Sequence, residues 1–280
     1  MTDLLEDEFG DIIGKARFGL NLSARDVAGR LGISTDDLAA LEDCARSPTK
    51  AESDALAAVL NLDPERLLAV AQDAYVPDPV ALDQGGVRIR VIPYPPMRVY
   101  QYVIGDVETG QAVVVDPGAV PDQILGVLAD EQWTAVAVLV THADADHIDA
   151  LPAIHAALSV PIWLHPNEQP RLPALAGADI RTFDHGQHFR AGPFQVQARR
   201  TPGHAPGHSS LVLRDLVLVG DAIFAGSLGR TALGPAYYAE HLAAVRSQIL
   251  SLPAATRLFA GHGPPTTVGE ELANNPFFAA

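Results

Sequence analysis

The 280-residue chain is short of cysteine, of basic residues and of long apolar runs, and each shortage narrows what it is. Cys44 is the only cysteine, which excludes an intrachain disulfide framework and a cysteine-rich zinc site. Lys and Arg number 19 against 34 Asp and Glu, a net charge of −15. Such a chain repels nucleic acid unless its few cations are gathered on one face. Apolar runs such as AVAVLV (135–140) are far too short to cross a bilayer. The opening MTDLLEDEFGD is acidic and lacks the apolar core of a signal peptide, so a cytoplasmic protein without membrane contact is expected. No P-loop or GxGxxG stretch occurs, which sets nucleotide cofactors aside. Histidine is missing from the first 141 residues; all ten lie at or after His142.

What is present is core material. Hydrophobic residues make up 48% and charged residues 19%, a globular composition that rules out global disorder. The length suits one large domain or two unequal ones. Residues 1–78 carry 7 Lys/Arg against 16 Asp/Glu, and residues 79–280 carry 12 against 18. The charge density and the histidines both divide the chain, and metal or acid–base chemistry belongs to its second part.

The first part reads as about five short helices. Ile12–Leu20 is the first. Ser23 is a good N-cap for ARDVAGRL, with Gly32 as its stop, and Ser34 can cap TDDLAALEDC. Residues 49–61 carry Ala and Leu at helical spacing, and Asp63-Pro64 supplies a cap and an N1 proline for ERLLAVA. Helix, tight turn at Gly32, helix is a helix-turn-helix pattern, and LSARDVAGRLGISTDDLAALEDCARSP resembles the Cro/C1-type repressor domain family over about residues 12–70. DNA binding meets a physical objection. The helix that would enter the major groove carries Asp36, Asp37, Glu42 and Asp43, and no base-reading donor before Arg46. Packing, dimerisation or partner binding is the favoured use of this region. Expected boundaries are a helical domain at 1–78, a Pro- and Gly-containing linker at 79–86, and an α/β domain at 87–280.

In the second part apolar strands alternate with helices. Five segments each follow an apolar strand: VVVDPG with Asp116, THADADHID with His142, Asp144, Asp146 and His147, TPGHAPGH with His204 and His208, VGDA with Asp221, and AGHGP with His262. Imidazoles and carboxylates are the ligands of divalent cations, and buried unpaired carboxylates are costly without one. Flanking small residues such as Gly203, Gly220 and Gly261 let backbones close around one point.

The ordered set HADADH, TPGH, VGDAIF and AGHGP resembles the metallo-β-lactamase superfamily over about residues 85–280. The tail GDAIFAGSLGRT…GHGPPTT is similar to its compact glyoxalase II-like branch. That resemblance implies an α+β chain with an αββα sandwich behind the helical region, and a site for one or two divalent ions (Zn, Mn or Fe). By position it places His142, His204 and Asp221 on the first ion, with Asp144 as a further ligand. Asp146, His147 and His262 fall on the second, with Asp221 bridging. Asp116 and His208 would orient the ligands. The activity implied is hydrolysis of a thiolester by a metal-bound hydroxide, in the manner of a hydroxyacylglutathione hydrolase, with Asp146 as the catalytic carboxylate. The substrate would be a small molecule such as a thiol conjugate, touched by Arg230, Tyr238 or His165.

The family pattern is HxHxDH, and this chain has Asp144 at the second histidine. A carboxylate there shifts preference from zinc toward manganese or iron. If Asp144 does not ligate, His142, His204 and Asp221 form the two-histidine, one-carboxylate set of non-haem iron oxygenases, and the chain resembles the persulfide dioxygenases. A third reading is a DNA-binding regulator with a metal-sensing domain. A homodimer is compatible with the sequence.

Overall fold

The computed structural model describes residues 5–278. Five helices come first: α1 (Phe9–Gly19), α2 (Ala24–Leu31), α3 (Thr35–Glu42), α4 (Lys50–Leu60) and α5 (Pro64–Ala71). The starts of α2, α3 and α5 follow the expected chemistry, and Thr49, expected inside the fourth helix, caps it instead. Ser23, Ser34 and Thr49 each accept the N3 backbone N–H and receive the N3 acid in return, and Asp63 caps α5 ahead of Pro64. Gly32 closes α2 at φ 70°, the left-handed conformation that glycine adopts freely.

Two sheets follow. The first runs in chain order through β1 (Asp83–Gln84), β2 (Val87–Tyr94), β3 (Val99–Asp106), β4 (Gln111–Val115), β5 (Thr134–Leu139), β6 (Ile162–Leu164) and β7 (Ile180–Thr182). It is antiparallel up to β4 and parallel from β4 onward. Helices α6 (Pro121–Asp130), α7 (Ala145–Ile148) and α8 (Leu151–Leu158) connect its later strands. The second sheet contains β8 (His188–Ala191), β9 (Phe194–Arg200), β10 (Ser209–Leu213), β11 (Leu216–Gly220), β14 (Arg257–Ala260) and β15 (Thr266–Thr267). A small hairpin, β12 (Ile223–Phe224) and β13 (Ser227–Leu228), leads to α9 (Tyr238–Ala244), and α10 (Val268–Asn274) closes the chain.

Period-two patterning sorts the strand residues into layers. Tyr102, Ile104, Val113 and Leu139 meet Val196, Leu211, Leu218 and Phe259 between the sheets. Val103, Val114 and Val138 face the other way, onto Ile124 of α6 and Ile154 of α8. On the outer face of the second sheet, Val217, Val219, Leu258 and Ala260 share one apolar cluster with Ile12, Ile13, Leu56 and Leu67 of the N-terminal helices. The layers are therefore helix, sheet, sheet, helix, and α1, α4 and α5 contribute to the last. Residues 72–82 hold no helix or strand, yet Tyr75 within them is buried and packs against Gly226.

Strand direction gathers the site. Strands β4 and β5 are parallel, so Asp116 and His142 leave the first sheet at the same edge. In the second sheet β10 is antiparallel to both β9 and β11, and β11 is parallel to β14. Strands β9, β11 and β14 thus run the same way and deliver His204, Asp221 and His262 to one end.

Candidate metal centre

Four imidazoles and a carboxylate converge there. Nε2 of His147 lies 3.3 Å from Oδ1 of Asp221, while Nε2 of His204 and of His262 lie 3.6 and 3.5 Å from its Oδ2. His262 Nε2 is also 3.3 Å from Asp146 Oδ2. Three groups that could hold an ion result: His142–His204–Asp221, Asp146–His147–His262 and, on the side of Asp116, Asp116–His142–His147. Gly261 permits the approach: a Cβ there would fall 2.3 Å from Asp221 Oδ1 and 2.5 Å from His147 Cε1.

Each ring is held by its other nitrogen. His147 donates Nδ1–H to Asp116 Oδ2 at 3.2 Å. Thr141 donates its hydroxyl proton to the same carboxylate at 2.7 Å, so its oxygen receives Nδ1–H of His142 at 3.0 Å. His204 and His262 donate Nδ1–H to the carbonyls of Arg230 at 2.9 Å and Arg98 at 3.1 Å. All four Nε2 atoms therefore face inward. His142 Nε2, His147 Nε2 and Asp221 Oδ1 are buried with no hydrogen-bond partner. Without a cation these carboxylates are balanced only by protons held on the rings, and a divalent cation would take the place of those protons. The donor set fits such ions.

Electrostatics divide the rings. Burial pushes His142 and His208 well below the usual histidine range, so both are neutral bases. Burial opposes charge on His147 and His204 too, but the surrounding carboxylates, Asp221 foremost for His147 and Asp144 for His204, outweigh it. His208 is not a ligand: its Nε2 accepts the Asp221 N–H at 3.0 Å and its Nδ1–H goes to Thr201 at 2.9 Å. It fixes the backbone of Asp221, as Asp116 fixes the rings.

Asp144 is committed differently. Its Oδ1 is bound by Arg171 and its Oδ2 lies 3.1 Å from His204 Nε2 and 3.9 Å from His142 Nε2. Burial raises its pKa, but the bonds from His204 and Arg171 prevail and hold it at about 2. Behind it, buried Glu168 accepts the N–H of Ala143 at 2.8 Å and that of Gly207, tying the loop of His142 to the loop of His204. Glu168, Arg171 and Thr141 were missed in the sequence. HPNEQPR reads as a polar turn, and no local pattern marks an acid that is buried by a distant loop.

Two expected substrate contacts are corrected. Tyr238 is buried in the shared core against α1, where a Cβ on Gly19 would fall 2.3 Å from its ring. His165 is also buried. Its Nδ1 accepts the Asn167 N–H and its ring lies beside Phe183, so it does not line an open mouth. The Arg230 side chain is exposed, and its residue serves the site through its carbonyl. Cys44 is exposed in the turn after α3.

The sequence profile of the Metallo-beta-lactamase superfamily matches residues 94–262. With that match spanning more than half of the chain and the site at its centre, the chain belongs to this superfamily, and its class is that of metal-binding hydrolases taking one or two divalent ions. Among curated relatives, a probable metallo-hydrolase, YqgX of Bacillus subtilis, is 32% identical over 67% of this chain and 96% of its own. The hydroxyacylglutathione hydrolase GloC of Haemophilus influenzae is 27% identical over 68% of this chain and 97% of its own. Among solved structures, that of TTHA1623 in a di-iron-bound form has a TM-score of 0.58 and 30% identity, covering 67% of this chain and 99% of that one. Among the described residues, no helix is long and apolar enough to cross a membrane.

Proposed function

We infer that the chain hydrolyses thiolesters with two divalent ions, which His142, His204 and Asp221 and then Asp146, His147 and His262 would hold. The observation that carries the reading is the paired set of inward-facing donors, His142–His204–Asp221 and Asp146–His147–His262, both complete. The similarity to the Haemophilus hydroxyacylglutathione hydrolase favours a thiolester among the substrates such centres handle. Bound ions would supply a water nucleophile at neutral pH and polarise the carbonyl. Asp146 is the residue to hold and orient the attacking water. Its carboxylate lies beside His262 and remains partly accessible. Asp116, Thr141 and His208 keep the ligand set in place.

A cavity of about 970 Å³ lies between the N-terminal helices and the turn joining β2 to β3, walled also by residues 5–9, and only Gly263 beside His262 brings its wall near the centre.

Asp144 supports a second reading. With its oxygens taken by Arg171 and His204, the first set reduces to two histidines and one carboxylate, the arrangement of a mononuclear iron dioxygenase. The N-terminal helices act in either case by packing rather than by reading DNA, because the acids of α3 stand on its exposed side.

Elemental analysis after expression with zinc, manganese or iron, followed by hydrolysis of a thiolester, tests this. Two ions per chain and hydrolysis lost in Asp221→Ala are expected. One iron per chain, with oxygen consumed in the presence of a persulfide, would replace hydrolysis with the second reading.

A further inference from the structure

Residues 5–8 lead into α1 and cross the turn that carries His262. Arg98 Nε lies 3.3 Å from Glu6 Oε2, and Arg98 Nη2 donates to the Leu5 carbonyl at 3.0 Å. Arg98 itself sits at φ 53°, a left-handed conformation unfavourable for a side chain that branches from Cα. In that conformation its carbonyl accepts Nδ1–H of the ligand His262. Glu6 Oε1 is 4.0 Å from the same nitrogen. Gly263, at φ 74°, lies so close to the strap that a Cβ would come within 3.2 Å of the Glu6 backbone nitrogen. The start of β3 is joined to the same turn, Tyr100 N–H donating to the Gly261 carbonyl at 2.7 Å.

The strap is anchored. Asp7 is buried and accepts from the Lys15 ammonium and the Ser227 hydroxyl, and Lys15 also donates to the Leu228 carbonyl at 2.9 Å. The other three ligand histidines are held by Thr141, Asp116 and the Arg230 carbonyl, all within the metal domain. The acceptor of His262 differs. It is offered by a residue in an unfavourable backbone conformation whose side chain is gripped by the N-terminal strap.

We propose that Glu6 and Arg98 are positioning residues for His262, so that the N-terminal strap sets how tightly the Asp146–His147–His262 site holds its ion. Release of the Arg98 side chain lets its backbone leave the left-handed conformation. The carbonyl then turns from His262, and the ring loses the contact that fixes its tautomer and direction. The N-terminal helices thereby acquire a role at the metal centre without touching substrate. The inference rests on the two-ion reading above.

The test is calorimetric titration of the metal-free, full-length protein with cobalt(II), followed by visible absorption. Variants are Glu6→Gln, Arg98→Ala and Arg98→Lys, with Glu42→Gln breaking an ion pair to Arg17 elsewhere in the same helices as control. Glu6→Gln and Arg98→Ala should weaken one equivalent about tenfold or more and leave the other unchanged. Arg98→Lys should recover part of the loss, and Glu42→Gln should titrate as wild type. Variants that titrate as wild type, or lose both equivalents alike together with Glu42→Gln, overturn the proposal. If Arg98→Ala does not fold, Glu6→Gln decides. Wild type binding a single equivalent overturns the two-ion reading and this inference with it. Two wild-type equivalents with unshifted variants overturn this inference alone.

Discussion

Asp116 steadies His142 without touching it. The Thr141 hydroxyl gives its proton to the Asp116 carboxylate at 2.7 Å and takes Nδ1–H of His142 at 3.0 Å, while the same Asp116 oxygen receives Nδ1–H of His147. One carboxylate thus fixes the tautomers of two ligand rings, one in each site. Asp116 can reach both because it lies at φ 46°, just beyond β4, with its carboxylate also bonded to the Thr141 N–H at 2.8 Å.

Replacing Thr141 by valine keeps the shape and removes the relay. Metal affinity should fall about 10–100-fold, the usual scale for loss of an outer hydrogen bond to a ligand. Thr141→Ser should restore most of it. Competition with a chelating dye measures both, and unchanged affinity in the valine variant would refute the relay.

Asp144→Asn distinguishes a ligand from a partner of Arg171. The ion pair to Arg171 already occupies Oδ1, and His204 lies against Oδ2. The variant is expected to keep the wild-type ion count by elemental analysis, whereas Asp221→Asn loses ions from both sets. A missing ion in Asp144→Asn would make Asp144 the further ligand that the sequence resemblance implies.

Metal binding should release protons. In His147, His204 and His262 burial opposes the charged ring, but the neighbouring carboxylates raise the pKa overall. A cation must displace those protons, so affinity rises with pH, about tenfold per unit for each proton displaced. Titration calorimetry in buffers of different ionisation enthalpy counts them. A buffer-independent enthalpy at pH 6.5 would contradict the argument.

Glu271 links stability to pH away from the metal. It is fully buried and accepts from Thr266, Asn275 and the Gly226 N–H, yet desolvation lifts its pKa from 4.5 to about 7. An acid whose folded pKa is raised binds its proton more tightly when folded. Its contribution is complete below pH 4.5 and is lost as pH rises through about 7. Glu271→Gln, which cannot ionise, should flatten the fall of Tm between pH 5 and 8 relative to wild type, a difference of order a few kcal/mol at most. Parallel Tm curves would remove Glu271 as the cause.

A chain beginning at residue 79 tests whether the N-terminal helices are separable. It would uncover Val217, Val219, Leu258 and Ala260, which now share a cluster with Ile12, Leu56 and Leu67. Aggregation, or a strongly lowered Tm, is expected from that exposure. A monodisperse fragment of undiminished Tm would favour two independent domains divided near residue 80.

The sequence by itself determined what depends on neighbours in the chain. Caps at Ser23, Ser34 and Asp63, the stop at Gly32, and the strand-then-ligand order of Asp116, His142, His204, Asp221 and His262 are local chemistry, legible within a few residues. The tertiary structure decided what depends on which segments meet. Glu168 became a buried clamp because the loops at Ala143 and Gly207, 25 and 39 residues away from it in the chain, both close on its carboxylate. Tyr238 went into the core rather than to substrate because α1 lies over it. Arg171 reached Asp144, and Glu6 reached Arg98 and His262, across separations that no periodicity records. A residue type and its spacing fix the chemistry a side chain can perform, but its partner is chosen by packing, and packing is settled only when the whole apolar surface has found its cover.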